Sequence, residues 1–228
     1  MVRNVALASL LFAVSSALIV THSSAVKAVI AGDFKIEALP ACTDAKVSDA
    51  MKATLNDKGM RLVNQEGKTI ADLWLRKDIP NSAAADEGSS FGQIKEGAFV
   101  GVIVFPEKTN DYRDQSVKSG TFTLRYGLSA QDGAHLGVSP TRDFFMLTLP
   151  SEDTDPKDLT PAEVIKLSRT ASGTGHPAPL ALAIPTTDEK SLPKLVAGEH
   201  EHVTLELKLK LKTGEVAVGF VVVGKTAE

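Results

Sequence analysis

Residues 203–212 read Val-Thr-Leu-Glu-Leu-Lys-Leu-Lys-Leu-Lys, with apolar and polar side chains in strict alternation. An extended chain turns successive side chains to opposite faces, so this segment has one apolar face and one polar face. Val203, Leu205, Leu207, Leu209 and Leu211 need cover, whereas Thr204, Glu206, Lys208, Lys210 and Lys212 suit water. A period of two fits a strand and no helix. Thr213-Gly214 supplies a tight turn. Residues 215–223 return as a more continuously apolar strand, the pattern of a central position. The chain is therefore committed to an antiparallel sheet that ends in a hairpin.

The same period recurs upstream. Residues 60–63 and 69–75 flank Glu66-Gly67 as a second hairpin, and residues 99–105 form an apolar run stopped by Pro106. Within 121–128, Phe122, Leu124 and Tyr126 share one face and Thr121, Thr123 and Arg125 the other. Strands at 144–149 and 180–184 end at Pro150 and Pro185, because proline cannot donate to a ladder. Two helices interrupt the strands. Over 44–57, Val47, Met51 and Leu55 recur every four residues, with Gly59 as the stop. Thr160-Pro161-Ala162-Glu163 is a capping box with proline in the first turn; it opens a helix over 161–171 with Ala162, Ile165, Leu167 and Ala171 as its apolar surface. The expected fold is mainly β: an antiparallel β-sandwich, jelly-roll or immunoglobulin-like, with two short helical insertions. The softest stretches, 81–90 and 186–198, read as surface loops inside one domain spanning 26–228.

The first 25 residues read as a signal peptide. Arg3 gives a positive start, residues 5–20 are apolar, and Ser23-Ser24-Ala25 offers a cleavage site after Ala25, with Ala28 as second choice. The expected destination is periplasmic or extracellular. No later apolar run reaches membrane length, so no span is expected in the mature chain. Cys42 is the only cysteine, which excludes an intrachain disulfide and a Cys-rich zinc site and suits a buried thiol. With 28 acidic and 25 basic side chains, the net charge of −3 offers no footprint for nucleic acid.

Three polar constellations are candidate sites. The connection 129–143 concentrates Asp132, His135, Arg142 and Asp143 on a loop longer than a hairpin needs. Ser172-Gly173-Thr174-Gly175-His176-Pro177 follows a helix, whereas phosphate loops precede one. If both loops share one end of the sandwich, Asp132, His135, Arg142, Asp143 and His176 become ligand contacts, and Asp132, His135 and His176 become an alternative metal set. Glu199-His200-Glu201-His202 offers a weaker surface metal pair, His200 and His202. Their spacing to Glu206 resembles part of the first metal motif of the cupin family. The family's leading glycine would fall at Lys194, and no histidine follows Glu206 for a second motif. Asp111-Tyr112-Arg113-Asp114 with Trp74 would suit stacking on a sugar, although core packing is the simpler role for Trp74. No Gly-x-Ser-x-Gly elbow is present.

Leu73 to Pro80, Ser119 to Tyr126, Gln131 to Gly137 and Ser172 to Pro177 together resemble a group of exported bacterial β-sandwich proteins that carry no assigned function. The resemblance implies export and a β fold and no chemistry. The expected role is non-catalytic binding of a polar small molecule, a glycan or a protein partner, with no cofactor identified. The alternatives are a metal-dependent site built from loop histidines and a structural or assembly protein of the cell envelope.

Overall fold

The computed structural model describes residues 34–64, 66–84, 88–130, 139–198 and 202–224. In chain order the elements are β1 (Lys35–Leu39), α1 (Asp49–Lys52), β2 (Gly59–Val63), β3 (Thr69–Leu75), β4 (Phe99–Phe105), β5 (Thr109–Asn110), β6 (Ser116–Val117), β7 (Gly120–Leu128), β8 (Asp143–Thr148), α2 (Pro161–Ser172), β9 (Pro179–Ala183), β10 (Lys194–Ala197), β11 (Val203–Lys210) and β12 (Glu215–Val223). Ten strands join in one sheet in the order β1-β2-β3-β4-β7-β8-β9-β12-β11-β10, and β5 and β6 form a separate hairpin. Every pairing between these strands is antiparallel. The edge strands β1 and β10 approach each other, so the sheet is nearly closed. The fold is mainly β and antiparallel, with two α-helices among the described residues.

The alternation read from sequence decides which face turns inward. Leu205, Leu207 and Leu209 of β11, Phe122, Leu124 and Tyr126 of β7, and Phe145 and Leu147 of β8 all join one continuous apolar interior. Phe145 meets Phe220 edge-on with centroids 5.2 Å apart, a favoured aromatic geometry. The outer face carries two smaller apolar patches, each under its own cover. Residues 40–57 lay Cys42, Val47, Met51 and Leu55 over Trp74, Phe99 and Val102. Helix α2 lays Val164 over Phe144, Met146, Ala181 and Val221.

The first helix is far shorter than the spacing implied. Val47, Met51 and Leu55 are buried as expected, yet only Asp49–Lys52 is helical. Ser48 caps its start by accepting from the Met51 amide. Its end is diverted into the sheet: the Asn56 amide donates to the Leu75 carbonyl and the Lys77 amide to Thr54. Gly59 does not stop the helix; it begins β2, where a Cβ would lie 2.5 Å from the Trp74 indole nitrogen. Helix α2 follows its capping box, and Gly173 ends it in a left-handed conformation. Its buried stripe is Val164, Ser168 and Ala171, while Ala162 is exposed and Ile165 and Leu167 are half-buried.

Register gives the sheet two ends. The upper end holds Leu39, Gly59, Leu75, Phe99, Leu128, Asp143, Ala183, Lys194, Lys210 and Glu215; the lower end holds Lys35, Val63, Phe105, Gly120, Thr148, Pro179, Ala197, Val203 and Val223. The connection 76–98 crosses the upper end. Ile79 bridges to Leu211, and Ile79, Phe91 and Ile94 sink into the interior. The β5–β6 hairpin contributes Val117 to the interior from the lower end. Its backbone meets Gly224, where a Cβ would lie 1.7 Å from the Asp111 carbonyl oxygen.

Candidate functional site

Of the described candidate residues, Arg142 and Asp143 lie at the upper end and His176 and His202 at the lower. Asp143 starts β8 with its side chain inward and is fully buried. Its carboxylate accepts from the Ser89 hydroxyl at 2.5 Å, the Ser90 amide at 3.0 Å, the Phe91 amide at 3.3 Å and the Tyr126 hydroxyl. The Phe91 amide also donates to Ser89 Oγ. Burial, and then the hydrogen bond to Asp143, push the Tyr126 phenol upward, which keeps it a donor. Asp143 therefore anchors the crossing connection to the sheet, and its oxygens are committed to protein donors.

Arg142 faces the other way and closes the base of the β7–β8 loop. Its guanidinium donates to the Ser129 carbonyl at 2.9 Å and 3.3 Å, and the Ser129 amide donates back to the Arg142 carbonyl. Thr141 Oγ1 donates to the Leu182 carbonyl of β9. Asp132 and His135 lie outside the described residues.

His176 is exposed, on a turn that ties itself: Ser172 Oγ and Thr174 Oγ1 both donate to the His176 carbonyl. This turn precedes β9, whose first residue pairs with Met146. It therefore lies at the lower end, while Ser129, Arg142 and Asp143 lie at the upper. Six residues of β8 separate the two ends, roughly 17 Å at the rise of a strand. The expected sharing of one end by the two loops does not hold for His176 and the described base of the 129–143 connection. The physical reason is register: helix α2 returns the chain to the far end of β8.

His202 is buried rather than solvated, with its ring 4.5 Å from that of Tyr112. His200 lies outside the described residues. Glu206 accepts from the amides of Thr186 and Thr187 and from the Thr186 hydroxyl, so its carboxylate is spent on the connection after β9. Burial pushes that carboxyl up, but these hydrogen bonds outweigh it and hold it below the usual range. Among the described residues no group of three His, Cys, Asp or Glu side chains is placed to hold a metal. Trp74 is covered by residues 40–57 and donates to the Pro40 carbonyl at 2.8 Å. Cys42 is buried, and burial raises its thiol.

No protein-family model, curated protein or solved structure matches this chain.

Two features of the site were not read from sequence. The first is a buried ion pair on the outer face. Arg125 is fully buried and forks Asp153 through Nε and Nη2 at 2.9 Å and 2.5 Å. Its remaining donors reach the carbonyls of Gly97, Asp155 and Lys157. Asp153 also accepts from Thr123 and Thr148. All five guanidinium donor directions are used, so the cluster is a structural clamp on residues 149–160.

The second is an open groove of about 630 Å³ at the upper end, lined by Ile36, Glu37 and Ala38 of β1, the turn Asn56-Asp57-Lys58, Gly59 and Met60 of β2, and Leu73 and Leu75 of β3. Ile36, Met60, Leu73 and Leu75 belong to the inner face; Leu73 is buried, and the other three are only half-buried here. The alternation of Ile36 and Ala38 with Lys35 and Glu37 was the available signal for β1.

Proposed function

We propose that this protein is exported and binds a ligand, without catalysis, at the upper end of its sheet. A polar small molecule, a glycan or a protein partner fits the reading. The observation that carries it is the presence of two features at that end: the open groove and the base of the β7–β8 loop, which Arg142 holds. Phe, Leu and Val side chains pack the interior of the sheet. Rigid sheets that carry variable loops at one end are common platforms for recognition. Export rests on residues 1–25, with cleavage near Ala25. We also propose that the nearly closed sheet packs as two facing layers, as in a sandwich.

The test is a thermal-shift screen of the exported protein against sugars and small anions, because a ligand that prefers the folded state stabilises it. The expected result is a saturable rise in Tm with at least one class of probe. A Tm unmoved by every class would count against the binding reading. N-terminal sequencing of the exported protein should begin at Val26; a retained Met1 would contradict export with cleavage.

A further inference from the structure

The groove is chemically lopsided. Its wall is apolar and comes from the inner face of β1–β3, with Ile36, Met60 and Leu75 half-buried and Ala38 exposed at the margin. Its rim is the turn 56–58. Asp57 is already paired there, 3.1 Å from Lys77 Nζ. Glu37 lies opposite Arg61 in the β1–β2 register, and Arg61 forks Asp72 on the outer face, away from the apolar wall. Lys58 is exposed at the rim and, among the described residues, has no hydrogen bond or ion pair. The site thus joins an uncovered apolar wall to one unneutralised cation.

We propose that this groove binds a single-chain amphipathic anion, its apolar chain along Ile36, Met60 and Leu75 and its carboxylate beside Lys58. The inference rests on the binding reading above and adds a location and a ligand class to it. An uncharged apolar chain would gain nothing from Lys58, and a cationic head would be repelled by it. An exposed ion pair contributes little, so the chain supplies most of the affinity and the charge selects the head. Each methylene removed from water is worth up to about a four-fold gain in affinity when fully buried. Because the groove is open, we expect about two-fold per methylene from octanoate to dodecanoate.

The experiment is calorimetric titration of the exported protein with octanoate, decanoate and dodecanoate, all below their micellar concentrations, with dodecyltrimethylammonium as the cationic control. The expected result is one site per chain, tightening with chain length, and weaker binding of the cation. Ala38→Trp changes an exposed residue, so the fold should persist; it should fill the groove and weaken dodecanoate more than ten-fold. Lys58→Glu should weaken dodecanoate about five-fold and narrow its advantage over the cation. Equal binding of both head groups, or dodecanoate binding unchanged in Ala38→Trp, would overturn the proposal. A sugar or inorganic phosphate that stabilises the Ala38→Trp protein as well as the parent, with dodecanoate inert, would overturn the groove assignment and leave the binding reading standing. Silence from every probe would overturn both.

Discussion

Arg125 and Asp153 show how much of this molecule depends on single side chains. The pair is buried on the outer face of β7, where each charge has surrendered water and regained it as hydrogen bonds. Removing one partner strands the other, which typically costs about 3–5 kcal/mol. Asp153→Ala should lower stability by that order in urea unfolding, whereas the paired change Arg125→Met with Asp153→Leu should cost clearly less. Equal losses in the two proteins would show that the charges are not coupled. Asp143 plays a comparable role inside. Asp143→Ala strands the Ser90 amide and takes one acceptor from Tyr126, Ser89 and the Phe91 amide, so amide exchange over 88–94 should accelerate while that of β12 stays slow. Uniform acceleration in both would mean that Asp143 supports the whole fold rather than one connection. Neither role was legible in sequence. Arg125 read as one polar position on an alternating strand, because its partner lies 28 residues away in a connection with no pattern of its own.

At the level of elements, alternation was a faithful guide and spacing was not. The bounds of β4 and β12 match the runs 99–105 and 215–223, because an apolar strand between turn signals has little freedom to shift. The capping box placed the start of α2 correctly, since both of its reciprocal hydrogen bonds form. The stripe Val47, Met51 and Leu55 overstated α1, because covering a sheet needs only buried apolar residues, and turns present them as well as a helix does. β1 and β10 were missed because they are short: five and four residues at the edges of the sheet give an alternation too brief to stand out. The lysine-bearing β11 is itself no edge; it lies between β10 and β12.

Glu206 ties β11 to the connection after β9, and this makes a pH prediction at the same scale. Its folded carboxyl is held below the usual range, so its contribution is present at neutral pH and lost as pH falls below about 4.3 and through the lower folded value. Asp44, where the Thr121 hydroxyl, the Lys46 amide and nearby lysines overcome the effect of burial, has the same sign. Asp111 has the opposite sign, since burial raises its carboxyl and favours the protonated form. Glu206→Gln should therefore unfold with a shallower loss of stability between neutral and acid pH than the parent. An identical pH slope would remove Glu206 from the account. Thr160→Ala should cost about 1 kcal/mol through the lost cap on α2, read as a small shift in the urea midpoint without a change in slope.

Across the whole molecule, the sheet places its chemistry at opposite ends. Asp143, Arg142 and the groove share the upper end, and the turn bearing His176 lies below, a separation set by which end each connection returns to. No single-strand pattern encodes that choice, so the candidate residues could be named from sequence but not gathered. The most direct measurement is amide chemical-shift mapping of the isotope-labelled protein titrated in turn with dodecanoate, N-acetylglucosamine, galacturonate and inorganic phosphate. The account predicts saturable shifts from at least one probe, clustered at residues 36–38, 56–60, 73–75 and the base of the β7–β8 loop, with residues 172–179 and 109–117 unmoved. Shifts centred on the lower end, or none from any probe, would contradict it.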